Sequence, residues 1–317
     1  MRHQLRYSAL CIATAAVGAC TDMRPTSPKV SSTVGQLARF DLDAMTLTTI
    51  DVPGSTGTVA MDVNALDEVV GQFTKDGVTH GFLWQNGALT TIDFPGASFT
   101  VAAGINSEGD IVGMYALPNA PAERHGYVLR AGEFTTIDPE GSKFTNALGI
   151  SPQGDVVGRY CTAIPCGRAG SGTYHGFLWQ SGVATSFDVP DAVETNAWKI
   201  NALGEIIGGF RYAGGINRLF ILRDGEFTTF DLPGGLPVAQ DDGGINARGD
   251  VVGVTCGASP CDFASPVRHG FVLHDGELTT IDIPGARVTL VLGINARGSL
   301  AGFYNAIGKQ QGFLLSR

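Results

Sequence analysis

The sequence predicts an all-β protein of the β-propeller type, and three observations carry that expectation. A unit of about 45 residues recurs along almost the whole chain, within the period of propeller blades. Its clearest copies read HGFLWQNGALTTIDFPGASFTVAAGINSEGDIVGMY, from His80 to Tyr115, and HGYVLRAGEFTTIDPEGSKFTNALGISPQGDVVGRY, from His125 to Tyr160. Further copies begin at His175, Arg218 and His269, and a truncated one at Gln311. Each unit breaks into short runs rich in Val, Ile, Thr and Phe that alternate with period two. Tight turns divide the runs, and glycine reaches 44 residues while charged residues stay at 16%, a balance that fits turns and closely packed strands rather than disorder.

Four strands are expected per unit. Taking VAAGIN (101–106) as one type, the others are DIVGMY (110–115), HGFLWQ (80–85) and ALTTIDFP (88–95). The first two are joined by Asn-x-x-Gly turns at Asn106–Gly109, Asn201–Gly204, Asn246–Gly249 and Asn295–Gly298. Asparagine bonds its own backbone there and glycine accepts positive φ. Asp67 stands in the glycine position of the first unit, and aspartate tolerates that conformation. The order resembles that of NHL-type propellers, which implies that VAAGIN is innermost and TTIDFP outermost. On that mapping inner strands fall near 58–64, 100–106, 145–151, 195–201, 240–246 and 289–295, so the expected fold is a six-bladed β-propeller of four-stranded blades. The sixth blade reaches its third strand at Gln311–Leu315, and Leu47–Pro53 supplies the missing outer strand. Closing the ring this way removes exposed sheet edges. ARFDL (38–42) aligns with the same strand type as the C-terminus and is left as an extra or displaced strand.

The first residues read as an export signal: Arg2 and Arg6, then a short apolar run from Ser8 to Ala19, too short to span a bilayer. VGAC at Val17–Cys20 resembles a bacterial lipobox, which implies lipidation of Cys20; ordinary secretory cleavage is the alternative. Thr21 after the cysteine implies, by the same resemblance, sorting to the outer membrane. The expected organisation is signal 1–19, flexible tether 20–36 and one propeller domain 37–317. Removing Arg2 and Arg6 leaves 19 basic against 30 acidic residues (19 − 30 = −11), and no basic stripe remains for nucleic acid. Membrane contact is expected only through a lipid anchor, and the propeller is expected to be a monomer.

Beyond the signal, four cysteines form two local pairs, Cys161 with Cys166 and Cys256 with Cys261. Export and even count favour two disulfides; a metal site is the alternative, but no second pair or nearby histidine completes a zinc set. The units also resemble the extracellular HAF repeat family, with His-Gly-Phe at 80–82, 175–177 and 269–271 in place of His-Ala-Phe. That resemblance covers about residues 38–317 and implies export and repetition without assigning catalytic residues.

A residue that recurs in every unit serves the unit. Asp51, Asp93, Asp138, Asp188, Asp231 and Asp282 are therefore expected to satisfy backbone groups at strand ends. His80, His125, His175 and His269 form too wide a ring to share one metal ion and are expected to bond backbone. Trp84 and Trp179 are assigned to packing between blades. Departures from the repeat are the better site candidates. Asp62 and Lys199 replace glycine on opposite blades, so opposite charges are expected to face across the channel. Asn146, Asn196 and Asp241 replace apolar residues, and Asp242, Trp198, Asp191 and Glu194 join them. Together with both cysteine loops these are expected around one mouth on blades three to five.

The function expected is therefore a non-enzymatic exported binding module for a glycan, peptide or envelope partner. Its site residues would be Asp241, Asp242, Asn146, Asn196, Lys199, Trp198 and Asp62. No G-x-S-x-G, H-E-x-x-H or P-loop motif is present. The alternative is a carbohydrate hydrolase or lyase using Asp241, Asp242, Glu194, Asp191 or Asp62; a purely structural envelope role is a third reading. No cofactor is expected; the acidity leaves calcium open, although no D-x-D-x-D-G ladder occurs.

Overall fold

The computed structural model describes residues 42, 44–166, 172–239, 243–257, 261, 265–306 and 308–317. Among them the regular structure is strand, apart from a 3₁₀ turn at Pro233–Gly235. The chain opens with β1 (Thr46–Ile50). Next, β2 (Gly57–Val63), β3 (Val69–Lys75), β4 (Val78–Gln85) and β5 (Ala88–Ile92) make an antiparallel meander. The same meander recurs in β6 (Phe99–Ile105), β7 (Ile111–Ala116), β8 (His125–Arg130) and β9 (Glu133–Ile137). It recurs again in β10 (Phe144–Ile150), β11 (Val156–Cys161), β12 (His175–Gln180) and β13 (Val183–Phe187). β14 (Glu194–Ile200), β15 (Ile206–Arg211), β16 (Asn217–Arg223) and β17 (Glu226–Phe230) follow. After them come β18 (Gly244–Ile245), β19 (Val251–Thr255), β20 (His269–His274) and β21 (Glu277–Ile281). β22 (Thr289–Ile294), β23 (Leu300–Ala306) and β24 (Lys309–Ser316) end the chain. β1 lies antiparallel beside β24, Thr46 opposite Ser316 and Ile50 opposite Gly312.

Burial explains the sequence of each strand. The first strand of each meander is almost wholly buried; β6 and β22 read mostly apolar, whereas β14 also buries Glu194, Thr195, Asn196 and Lys199. The fourth is exposed along most of its length, and its Thr-Thr pair faces solvent in β5 and β9. On the third strand one aromatic per sheet, Phe82, Tyr127, Phe177, Phe220, Phe271 or Phe313, is completely buried. Each sits in register with a glycine of the second strand, Gly71 with Phe82 and Gly158 with Phe177 among them. A Cβ on Gly71 would stand 2.8 Å from the Phe82 ring, so the two motifs Val-Val-Gly and His-Gly-Phe specify one another. Burying such a ring contributes about 2–3 kcal/mol.

Of the inner strand expected at 240–246, the described residues are strand at Gly244–Ile245, and Val238 bridges to Thr255 further back. Ala239 N donates to Val254 O and Gly244 pairs with Val252. Asp241 and Asp242, the signal, Cys20, the tether and most of ARFDL lie outside the described residues. Leu42 packs against the β22 sheet. The disulfides Cys161–Cys166 and Cys256–Cys261 form as expected and favour an oxidising, extracytoplasmic setting. Among the described residues no helix is long and apolar enough to cross a membrane.

Candidate functional site

The inner strands run side by side, each with a bulge, at Ala60/Asp62, Ala102/Gly104, Ala147/Gly149, Ala197/Lys199 and Val291/Gly293. A bulge leaves one residue outside the ladder, here Met61, Ala103, Leu148, Trp198 or Leu292. The next position approaches the neighbouring inner strand closely. A Cβ on Gly149 would lie 2.7 Å from Lys199 Cα, which is why that position is glycine. Asp62 and Lys199 use the space that the surrounding glycines leave. Their charges meet, as the sequence implied: Lys199 Nζ is 3.1 Å from Asp62 Oδ2, and both side chains are about nine-tenths buried. The ammonium also donates to Ala103 O (2.6 Å) and Leu148 O (2.7 Å). The carboxylate accepts from Val63 N (3.0 Å) and Ile105 N (3.2 Å). Burial pushes the Asp62 carboxyl above its ordinary range, and Lys199 and the two backbone N–H groups only partly draw it back.

This pair floors a pocket of about 120 Å³ at the turn end of the inner strands. The turn asparagines ring it. Asn64, Asn106, Asn201, Asn246 and Asn295 each accept two backbone N–H groups of their own turn through Oδ1. Through Nδ2 each donates to the backbone carbonyl of the next turn: Asn64 to Asn106 O, Asn106 to Ser151 O, Asn201 to Asn246 O, Asn246 to Asn295 O and Asn295 to Asn64 O. Ser151 breaks the series, since its hydroxyl accepts from Asp155 N and makes no bridge onward among the described residues.

The candidates expected at one mouth therefore separate. Asp62 and Lys199 belong to the turn end, whereas Asn146 and Asn196 lie near the other end of their strands, opposite Arg159 and Gly209. Strand direction is the reason, for each inner strand spends its length crossing from one end to the other. Asn146, Asn196 and Trp198 are all at most 3% exposed. Trp198 lies with its indole against Gly209 and Gly243, in the largest apolar cluster. Among the described residues Asn146 Oδ1 and Trp198 Nε1 are buried without a hydrogen-bond partner. Arg159 connects this group, bonding Asn196 Oδ1 at 3.4 Å and lying 5.0 Å over the ring of half-buried Tyr174. Tyr212 and Ile216 are exposed on the loop after β15.

Glu194 is buried and paired with Arg211 at 3.0 Å. The recurring aspartates bond side chains, and of them Asp138 also accepts from a backbone group as expected, Gly126 N at 3.3 Å. His80 holds Asp93 (3.0 Å), His125 Asp138 (2.7 Å), His175 Asp188 (2.8 Å) and His269 Asp282 (2.7 Å). Arg218 takes the histidine's place with Asp231, and Lys309, rather than Gln311, takes it with Asp51. The pairing was missed because its partners lie 13 residues apart, across the hairpin of the third and fourth strands. Trp84 and Trp179 are partly buried against core clusters. Asp191 is exposed, with positive φ of 63°. Among the described residues no three His, Cys, Asp or Glu side chains gather to hold a metal.

No protein-family model matches the chain, and no curated protein matches it in sequence. Solved structures do match. AofleA from Arthrobotrys oligospora, in an arginine-substituted form, gives a TM-score of 0.51 at 11% identity, covering 86% of each chain. Trypanosoma rangeli sialidase in complex with the inhibitor DANA gives 0.50 at 9% identity, covering 82% of this chain and 55% of that one. TolB from Acinetobacter baumannii gives 0.49 at 12%, covering 82% and 54%. The chain thus spans about half the length of the TolB and sialidase chains. At such identities the likeness concerns the fold alone: this is an all-β protein of four-stranded sheets, a β-propeller.

Proposed function

We propose that the chain is an exported, six-bladed propeller of the HAF-repeat kind that binds a glycan, peptide or envelope partner without catalysis. β1 beside β24 and Asn295 bonded to Asn64 support a ring closed by its two ends. The two disulfides support export, and Cys20 is the proposed lipid anchor. The binding surface is the crossover end of blades three to five. The observation that carries it is the Arg159–Tyr174 stack, in a unit where the repeat breaks; Tyr212 and Ile216, exposed on the loop after β15, and both disulfide loops are proposed to share that surface. Arginine and aromatic residues at a surface of variable loops on a rigid frame are the usual anchors of recognition. The buried candidates Asn146, Asn196 and Trp198 support that surface from beneath; Asp241 and Asp242 belong to the same proposal. For a hydrolase reading, Glu194 is engaged with Arg211 and Asp62 with Lys199, while Asp191 is exposed.

Full-length chain on glycan and peptide arrays tests this. Saturable binding that weakens about tenfold in Arg159→Ala and Tyr174→Ala is expected, each change removing roughly 1.4 kcal/mol. Release of product from an arrayed glycan would replace this reading with the hydrolase or lyase one.

A further inference from the structure

We infer that the turn end of the inner strands holds a cation site for a monovalent ion of ammonium or potassium size, which the chain fills with its own Lys199 side chain. The bulges create it. Ala103 and Leu148 are bulge residues, and their carbonyls, turned out of the ladder, converge on Lys199 Nζ at 2.6 and 2.7 Å. Asp62 Oδ2 is the third oxygen, at 3.1 Å. Three oxygens drawn from β2, β6 and β10 thus surround a charge delivered from β14.

One carboxylate with two neutral carbonyls carries a single negative charge, which matches a monovalent ion. The spacing agrees, since calcium draws oxygens to about 2.3–2.6 Å and takes at least six of them. Access exists as well, because Asp62 and Lys199 both line the 120 Å³ pocket that opens at the turn end. Gly104 and Gly149, at the same strand position, contribute no side chain, so removing the lysine stem leaves room rather than another group. The consequence for the native chain is that its axis is locked by a tethered ammonium and does not depend on ions in the medium.

The test is thermal unfolding of full-length Lys199→Ala at one ionic strength, set with choline chloride and then with ammonium, potassium, sodium or calcium chloride. In choline the midpoint is expected to fall by about 5–15 °C. Ammonium and potassium should restore part of that loss in a saturable way, while the native midpoint stays level across the same salts. Asp62→Asn combined with Lys199→Ala should abolish the restoration. If Lys199→Ala does not fold in choline, refolding yield from denaturant replaces the midpoint, with recovery expected in ammonium and potassium. Absence of any cation-specific recovery, recovery that survives in the double variant, or calcium outperforming potassium would each overturn the site.

Discussion

Lys199 Nζ lies 3.1 Å from Asp62 Oδ2, joining the first strands of the first and fourth meanders of the chain. Every proton of the ammonium has an acceptor, two of them carbonyls freed by bulges, and the carboxylate accepts three hydrogen bonds. Two charges this deeply buried persist only when so completely paired.

Removing one partner should therefore cost more than removing both. Asp62→Asn or Lys199→Met alone is expected to lose roughly 3–5 kcal/mol, because one charge stays buried without its counter-ion. The double variant should be less destabilised than the sum of the two singles. Denaturant titration of all four proteins measures the coupling, and additive losses would show that the charges act independently.

Asp67 occupies a turn position held elsewhere by glycine, at a positive φ of 60°. In exchange it bonds Asn295 Nδ2 and Arg297 Nη2, both at 2.9 Å, linking the β2 and β22 sheets. Asp67→Gly relieves backbone strain while losing partly exposed contacts, so its stability should stay within about 1 kcal/mol of native. Asp67→Ala keeps the strain and loses the contacts, and should fall roughly 1–2 kcal/mol lower than the glycine variant. Equal stabilities for the two variants would refute this division.

Ser151 interrupts the asparagine series. Ser151→Asn should add a bridge to Asn201 O and raise stability by about 1 kcal/mol, seen as a shifted denaturant midpoint at unchanged slope. A loss of stability would mean that the neighbouring Pro152 keeps the turn from accepting the larger side chain.

Asp250 supplies the acid dependence. Burial alone would raise its carboxyl, but hydrogen bonds from His274 (2.5 Å), Asn246 (2.7 Å) and Arg248 (2.7 Å) outweigh that and hold it below the ordinary range. The unfolded chain therefore binds this proton more readily than the folded one. Its contribution is full above the ordinary aspartate value, about 3.9, and is lost as pH falls through the depressed folded value. Asp250→Asn should accordingly flatten the dependence of the unfolding midpoint on pH below about 4. An unchanged acid limb would assign it to other carboxylates.

How legible each feature was depended on how local its cause is. The Asn-x-x-Gly turns were readable because Asn106 bonds N–H groups within its own turn, at Glu108 and Asp110. The disulfides were readable because each closes five residues of sequence. The His–Asp pairs were not, since a 13-residue separation means nothing until the third and fourth strands pair. Asp62 and Lys199 could be matched only because the repeat assigned them equivalent positions on opposing units.

The sequence by itself determined the all-β repeat, the strand boundaries of most units and the opposite charges at equivalent positions of two units, because a period of alternating residues dictates strands directly. Only the tertiary structure decided that the asparagine amides reach across to the next sheet, that Lys199 is surrounded by bulge carbonyls, and that Asn146 and Asn196 lie away from Asp62. Those relations depend on distances between strands far apart in the chain, and a bulge redirects a carbonyl without leaving any mark in residue type.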